Sequence, residues 1–145
     1  MPEKETLERA RRDKREGKAP STQAGEFVRE EIEHIREGKH GARSTKQAIA
    51  IGLSKARRAG VELPPSESSS EDTKKQARRD LRKAKSGGKA TSATRSRATK
   101  KALKREGRSA ASKTALSLQA RTAAKKRSAA DRSRAAKKAA ATRKK

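Results

Sequence analysis

The chain has no cysteine, no tryptophan, no tyrosine and no asparagine, and only one phenylalanine and one methionine among 145 residues. Without cysteine there is neither a disulfide nor a thiolate metal site. Phe27 is the one aromatic of these types and the basic C-terminal half has none, so stacking on unpaired bases is not expected to drive recognition of a single strand. Without asparagine, and with four glutamines, few side chains suit bidentate reading of adenine. Long hydrophobic runs are missing too. The longest, Ala48–Leu53, is far short of the roughly 20 residues that span a bilayer. The opening MPEKETLERARR has no apolar segment of the signal-peptide kind. A cytoplasmic protein is expected.

Large apolar residues are scarce: fifteen, Met1 included. So little apolar surface, set against so much charge, cannot offset the ordering entropy of one large core. The charge is the dominant presence. Lys and Arg number 42 against 17 Asp and Glu, for a formal net charge of +25. It is unevenly spread: residues 1–65 hold 15 basic and 11 acidic residues, residues 66–145 hold 27 and 6. A near-neutral head precedes a strongly basic tail.

The head punctuates itself well. Residues 1–18 read as a charged helix over Glu3–Glu16, with Pro2 near its first turn and Gly17 at its end. Only Leu7 and Ala10 lie on an apolar side, so alone it would be marginal. Residues 19–63 read as a helical hairpin. Ser21 or Thr22 is expected to cap a helix running to about Glu37. Ala24, Phe27, Val28, Ile32 and Ile35 share one side of it. Glu26, Glu30, Glu33 and Glu37 share the other, as a solvated face or, alternatively, as a dock for the basic tail. Gly38 stops this helix. Ser44-Thr45-Lys46-Gln47 fits a capping box for the next. Ala48, Gly52 and Ala56 form a row of small residues that lets another helix come close. Gly60 ends the hairpin, with Val61 and Leu63 folding back on it, and its apolar faces are the expected core.

Residues 64–72, beginning Pro64-Pro65, read as a linker. Residues 73–145 are rich in Ala, Lys, Arg, Ser and Thr. Helical runs are expected at Asp72–Lys85, Ala93–Glu106 and within Ser109–Lys145, with Gly87-Gly88 as a hinge. None carries an apolar stripe, so a disordered or transiently helical tail is predicted. The fold expected is therefore all-α: a small hairpin head and a long basic tail. The phrase Arg-Glu-Gly-Lys/Arg recurs at 15–18, 36–39 and 105–108. Thr45, Lys46, Ala48, Ile49 and Ile51 also echo Ser112, Lys113, Ala115, Leu116 and Leu118. This reads as helix punctuation or as a worn duplicated hairpin.

Catalytic chemistry finds little support. His34 and His40 are the only histidines, expected at the surface and in a loop, and so small a head offers no deep cleft. No enzyme activity is expected. His34, Glu37 and His40 meet near a helix end, but nothing marks three supported ligands. No metal and no cofactor are expected. The Gly-Lys pairs at 17–18, 38–39 and 88–89 lack the Ser/Thr that completes a phosphate loop. A membrane surface is also unsuited, since the tail has no Trp, Phe or Leu face.

The tail carries the functional signal. Lys and Arg spread among Ala suit contacts to phosphate without sequence reading, strengthened by counterion release. Lys100, Lys101, Lys104, Arg105, Arg108, Lys125, Lys126, Arg127, Lys137, Lys138, Arg143, Lys144 and Lys145 are the expected contacts. Arg43, Lys46, Arg57 and Arg58 add to them from the head. DNA is the expected partner, with RNA second. A protein-interaction adaptor is the alternative. There Phe27, Ile32, Ile35, Ile49, Gly52 and Leu53 form a face for a second copy or another protein, and the tail only localises it. A sequence-reading helix-turn-helix at Thr45–Ala59 is a third reading.

The phrase STQAGEFVREEIEHIREGKHGARSTKQAIAIGLSKARRAG resembles a family of short uncharacterised bacterial proteins over about the first 65 residues. Some of its members are loosely labelled DNA-binding or plasmid-associated. The segments KKALKREGRSAASKTAL and SRAAKKAAATRKK are similar in composition to the Lys/Ala-rich tails of histone H1-like bacterial proteins. That second likeness implies association with the bacterial nucleoid.

Overall fold

Helix α1 (Lys4–Arg15) begins just after Pro2 and closes on Gly17, whose φ of +72° belongs to the left-handed region that glycine tolerates. It is not left alone in solvent. Thr6, Ala10 and Asp13 are buried against helix α2 (Pro20–Arg36). Helix α2 starts with Pro20 in its first turn and takes no side-chain cap. The cap expected from Ser21 or Thr22 is therefore absent: proline already fixes φ and needs no N–H partner there. Gly38, at φ +78°, ends the helix.

Helix α3 (Thr45–Arg58) is capped by Ser44, whose Oγ accepts from the N–H of Gln47 at 3.2 Å. Such a cap contributes about 1 kcal/mol. Gln47 reaches back with Oε1 to the N–H of Arg43 at 2.7 Å, one residue beyond the box partner. Helices α2 and α3 pack closely because Gly52 lies against Val28, where a Cβ would meet the Val28 Cα at 2.6 Å. After α3 the chain turns back, Val61 N–H donating to the Ala56 carbonyl.

This computed structural model describes residues 1–87 and 90–144. Among them are seven α-helices, one short 3-10 turn and no strand. Half of the expected hinge at Gly87-Gly88, the Gly88-Lys89 pair and Lys145 lie outside the described residues. The tail is not the disordered or transiently helical segment expected, and the helical runs expected within it are formed. It forms α4 (Glu71–Lys85), α5 (Ala93–Lys104), a 3-10 turn at Ser109–Ala111, α6 (Lys113–Lys125) and α7 (Ala129–Arg143). Ser70, Ser112 and Ser128 cap α4, α6 and α7 in the same manner as Ser44 caps α3. High Ala and Lys content supplies the propensity.

The hairpin is also not the whole core. One apolar cluster, Ala10, Ala24, Phe27, Ala56 and Val61, joins α1, α2 and α3, with Leu7, Leu53 and Leu63 at its edge. Complete burial of Phe27 alone contributes roughly 1.5–3 kcal/mol. The second cluster, Ile32, Ile35, Ala42 and Ala48, is completed by Ala110 and Ala111 from the tail, with Val28 and Leu116 packed against it. Two backbone bonds fasten this junction, from Gly41 N–H to the Leu103 carbonyl at 2.9 Å and from Ala42 N–H to the Gly107 carbonyl at 3.1 Å. Thr45 Oγ1 and Arg36 Nε donate to the carbonyls of Ala110 and Ala111. The loops that carry the second and third copies of the repeated phrase thus meet in space. The helices after them are out of register with the echo, since Ser112 occupies the cap position of Ser44 and not the place of Thr45. The repeat is one of helix endings.

Candidate nucleic-acid interface

Helix periodicity turns the basic composition of the tail into ridges. Lys75, Arg78, Arg79 and Arg82 follow the spacing i, i+3, i+4, i+7 on α4 and are all exposed. Arg97, Lys100, Lys101 and Lys104 repeat that spacing on α5, again all exposed. Arg134, Lys137 and Lys138 repeat its first three places on α7. Residues so spaced share one side of a helix, and each full ridge runs about 10 Å along its axis.

The α4 ridge is held outward by what α4 buries. Ala77 and Asp80 face α3 and are 1% and 0% exposed. Asp80 accepts hydrogen bonds from Ser54 Oγ at 2.7 Å, Arg58 Nε at 2.9 Å and Gln76 Nε2 at 3.2 Å. An acid of the tail is thereby spent on the inside, and the outer side keeps its positive charge. Among the described residues after 72, only Lys74 and Arg134 of the tail cations take part in an ion pair. Asp131, paired with Arg134 and hydrogen-bonded to Ser128, has its carboxyl held below the ordinary value by those two contacts in that order.

The residues expected to meet phosphate divide into two groups. Lys100, Lys101, Lys104 and Arg105 gather with Arg97 around one shallow surface of α5. Arg108 is exposed beside Gly38, Lys125, Lys126 and Arg127 lie exposed at the end of α6, and Lys137, Lys138, Arg143 and Lys144 lie exposed along and after α7. Arg43 is exposed just before α3 and Lys46 is exposed in its first turn. Arg57 and Arg58 are placed otherwise. Arg57 is buried, gives Nε to the Leu63 carbonyl at 2.9 Å, and has its pKa pulled down by burial. Arg58 is held by Asp80. Both serve the fold, one fixing the turn after α3 and the other docking α4. The α4 ridge was missed by reading the sequence, although its spacing is legible there.

The face proposed for an adaptor is consumed inside the chain. Phe27, Ile32, Ile35 and Gly52 are buried, and Ile49 and Leu53 half-buried. Among the described residues, the exposed large apolar side chains are Met1 and Leu118. The acidic residues of α2 do not dock the tail either. Glu26 pairs with Arg9, Glu30 with Lys55, Glu33 with Arg29 and Glu37 with Lys39, all within the head. They form a solvated face only in part: Glu33 and Glu37 are open to solvent, whereas Glu26 is largely covered and Glu30 is buried. His34, expected at the surface, is largely covered, and His40 lies in the loop as expected but is largely covered too. Glu31, His34 and His40 each bring a ligand-type atom within 4.8 Å of the others, a grouping that uses Glu31 and not Glu37. Beside them Glu3 has its carboxyl held below the ordinary value, first by His34 and then by Lys39.

Residues 4–67 match a family described as a family of unknown function (DUF6496). The match takes in α1, α2 and α3 and ends in the segment before α4, so the ridges lie beyond it. No curated protein and no solved structure matches the chain. Among the described residues, no helix is long and apolar enough to cross a membrane.

Proposed function

We propose that this protein binds duplex DNA without sequence preference, through phosphate contacts from the helical ridges of its tail, as a non-enzymatic nucleoid-associated protein of the cytoplasm. The observation that carries this reading is the repeated one-sided spacing of exposed, acid-free cations on α4 and α5. Each ridge presents four charges to a polyanion that carries one negative charge per about 1.7 Å of duplex axis. Phosphate contacts of this kind position a protein and read no sequence. The lack of aromatic and asparagine side chains in the tail favours duplex over single strand and backbone over base edge. The head then acts as the rigid body that fixes α4 outward and holds the turn at Ser109–Ala111.

The test is a salt series on the full chain with mixed-sequence duplex DNA, duplex RNA and single strands. Duplex DNA is expected to bind with affinity falling about a thousandfold or more between about 50 and 200 mM salt, and to the same extent for unrelated sequences. Preference for one DNA sequence, tighter binding to RNA, or weak salt dependence would each overturn the reading.

A further inference from the structure

Two buried carboxylates stand side by side in α2 with too little positive charge around them. Glu30 is 2% exposed and Glu31 0%. Glu30 Oε2 accepts the backbone N–H of Glu3 at 3.0 Å. Among the described residues, the one ammonium that reaches both is Lys55. Its Nζ bonds Glu31 Oε2 at 2.6 Å and stands 3.6 Å from Glu30 Oε1. Glu31 Oε1 is left buried without a hydrogen-bond donor, a condition that costs free energy unless something else meets the oxygen.

What faces that oxygen is imidazole. His40 Nε2 lies 3.2 Å from Glu31 Oε1. The other nitrogen of that ring, Nδ1, lies 3.1 Å from the Gly41 carbonyl. A carbonyl only accepts, so Nδ1 carries a hydrogen, and Nε2 is the ring nitrogen turned to the carboxylate. His34 is oriented in the same manner, its Nε2 donating to Glu3 Oε1 at 2.9 Å. Fixing ring and tautomer through one nitrogen leaves the other free, as in metal-ligating histidines. Nε2 and Oε1, 3.2 Å apart, stand at a separation that two donors of one cation can share. Two donors on one tetrahedral ion, each at about 2.0–2.1 Å, stand about 3.3 Å apart.

We infer that Glu31, His34 and His40 form a binding site for one divalent transition-metal ion. The donor set, two imidazoles and one carboxylate oxygen, suits zinc or cobalt; magnesium and calcium take oxygen ligands. Its second positive charge balances the carboxylate that Lys55 leaves uncompensated. The site lies at a seam: His40 belongs to the loop whose next two residues are bonded to Leu103 and Gly107 of the tail. An ion there joins α2 to the loop that clasps the tail, and its binding free energy adds to folding stability.

The experiment uses untagged full-length protein stripped with chelator and titrated with Co²⁺, followed by visible absorption, and with Zn²⁺, followed by calorimetry. One equivalent of each is expected to bind, with Co²⁺ bands of a low-coordinate nitrogen–oxygen site. Zn²⁺ is expected to raise the midpoint of thermal unfolding and to slow amide exchange at Gly41 and Ala42, while Mg²⁺ does neither. His34→Gln and His40→Gln are each expected to weaken Zn²⁺ binding by about 100-fold or more. Glu31→Gln tests the third ligand, and because that variant risks misfolding, the histidine variants decide alone. Three results would overturn the site: no stoichiometric binding, binding unchanged in the double histidine variant, or nitrogen NMR showing His40 doubly protonated at neutral pH with zinc present.

Discussion

Gly41 sits so tightly under Glu106 that a Cβ at Gly41 would overlap the Glu106 carbonyl oxygen. The obstacle is backbone, so no rotamer change relieves it. Gly41→Ala must then push the Arg105–Gly107 turn away and strain the bonds from Gly41 and Ala42 to Leu103 and Gly107. Loss of about 2 kcal/mol is expected, from two net hydrogen bonds of about 1 kcal/mol each. Urea unfolding measures the loss. Amide exchange is expected to accelerate at Ala42 and at Ala111, with Ala24 and Phe27 in the other cluster little changed.

Asp80 sets a second junction, between α3 and α4. Removing its carboxylate leaves Ser54 without its acceptor and leaves Arg58 free to turn to water. Asp80→Ala is expected to cost about 1–3 kcal/mol and to free α4, seen as faster exchange at Ala77 and Leu81. Arg58→Ala removes the other partner, which is 46% exposed. It is expected to cost about 1 kcal/mol or less, since exposed ion pairs contribute little. Equal losses in the two variants would show that the ion pair, and not burial of the acid, docks α4.

These junctions mark where the sequence stops being legible. The α2–α3 pairing can be read directly from the Ala48, Gly52 and Ala56 row, because close approach of helices needs small residues and a capped start. The docking of the tail cannot. It rests on Ala110 and Ala111, two small residues in an Ala-rich stretch, and on backbone bonds that no side chain announces. Glu31 had a signal that was overlooked. It falls at the spacing of the core positions, three residues after Val28 and four before Ile35, so it is an acid on an apolar face. Glu30 is different: it lies opposite the apolar stripe and is buried only because α1 covers that side. No periodicity within α2 foretells α1.

Asp131 gives the tail a local pH dependence. Its carboxyl accepts from Arg134 and from Ser128 Oγ, and these hold its pKa below the ordinary aspartate value. A depressed acid stabilises the folded helix above its unfolded pKa, and that support is lost as pH falls through the lower folded value. Carbon chemical shifts at Ala129, Ala130 and Arg132 are therefore expected to move toward coil between about pH 5 and pH 2. In Asp131→Asn the same shifts are expected to begin closer to coil and to stay nearly flat. A parallel slope in the variant would assign the change to other acids.

The ridges and the buried Arg57 carry opposite expectations under the proposed DNA binding. Replacing Lys75, Arg78, Arg79 and Arg82 by Gln removes four exposed charges from α4 without touching Ala77 or Asp80, so the fold is expected to keep its stability. The salt slope of log affinity should then shrink by up to about 3.6, at 0.9 per phosphate contact. The matching set on α5, Arg97, Lys100, Lys101 and Lys104, should shrink it by a similar amount, because spacing and exposure are the same. Arg57→Gln reverses the pattern. It strips the Leu63 carbonyl of its donor in a buried place and should lower stability by about 1–3 kcal/mol, while leaving the salt slope intact at temperatures where the protein remains folded. If Arg57→Gln changed the slope as much as a ridge cation does, the head would be a binding surface. If the α4 set left the slope unchanged, the charges that matter would lie on α5 and beyond, and the docking of α4 would serve only the fold.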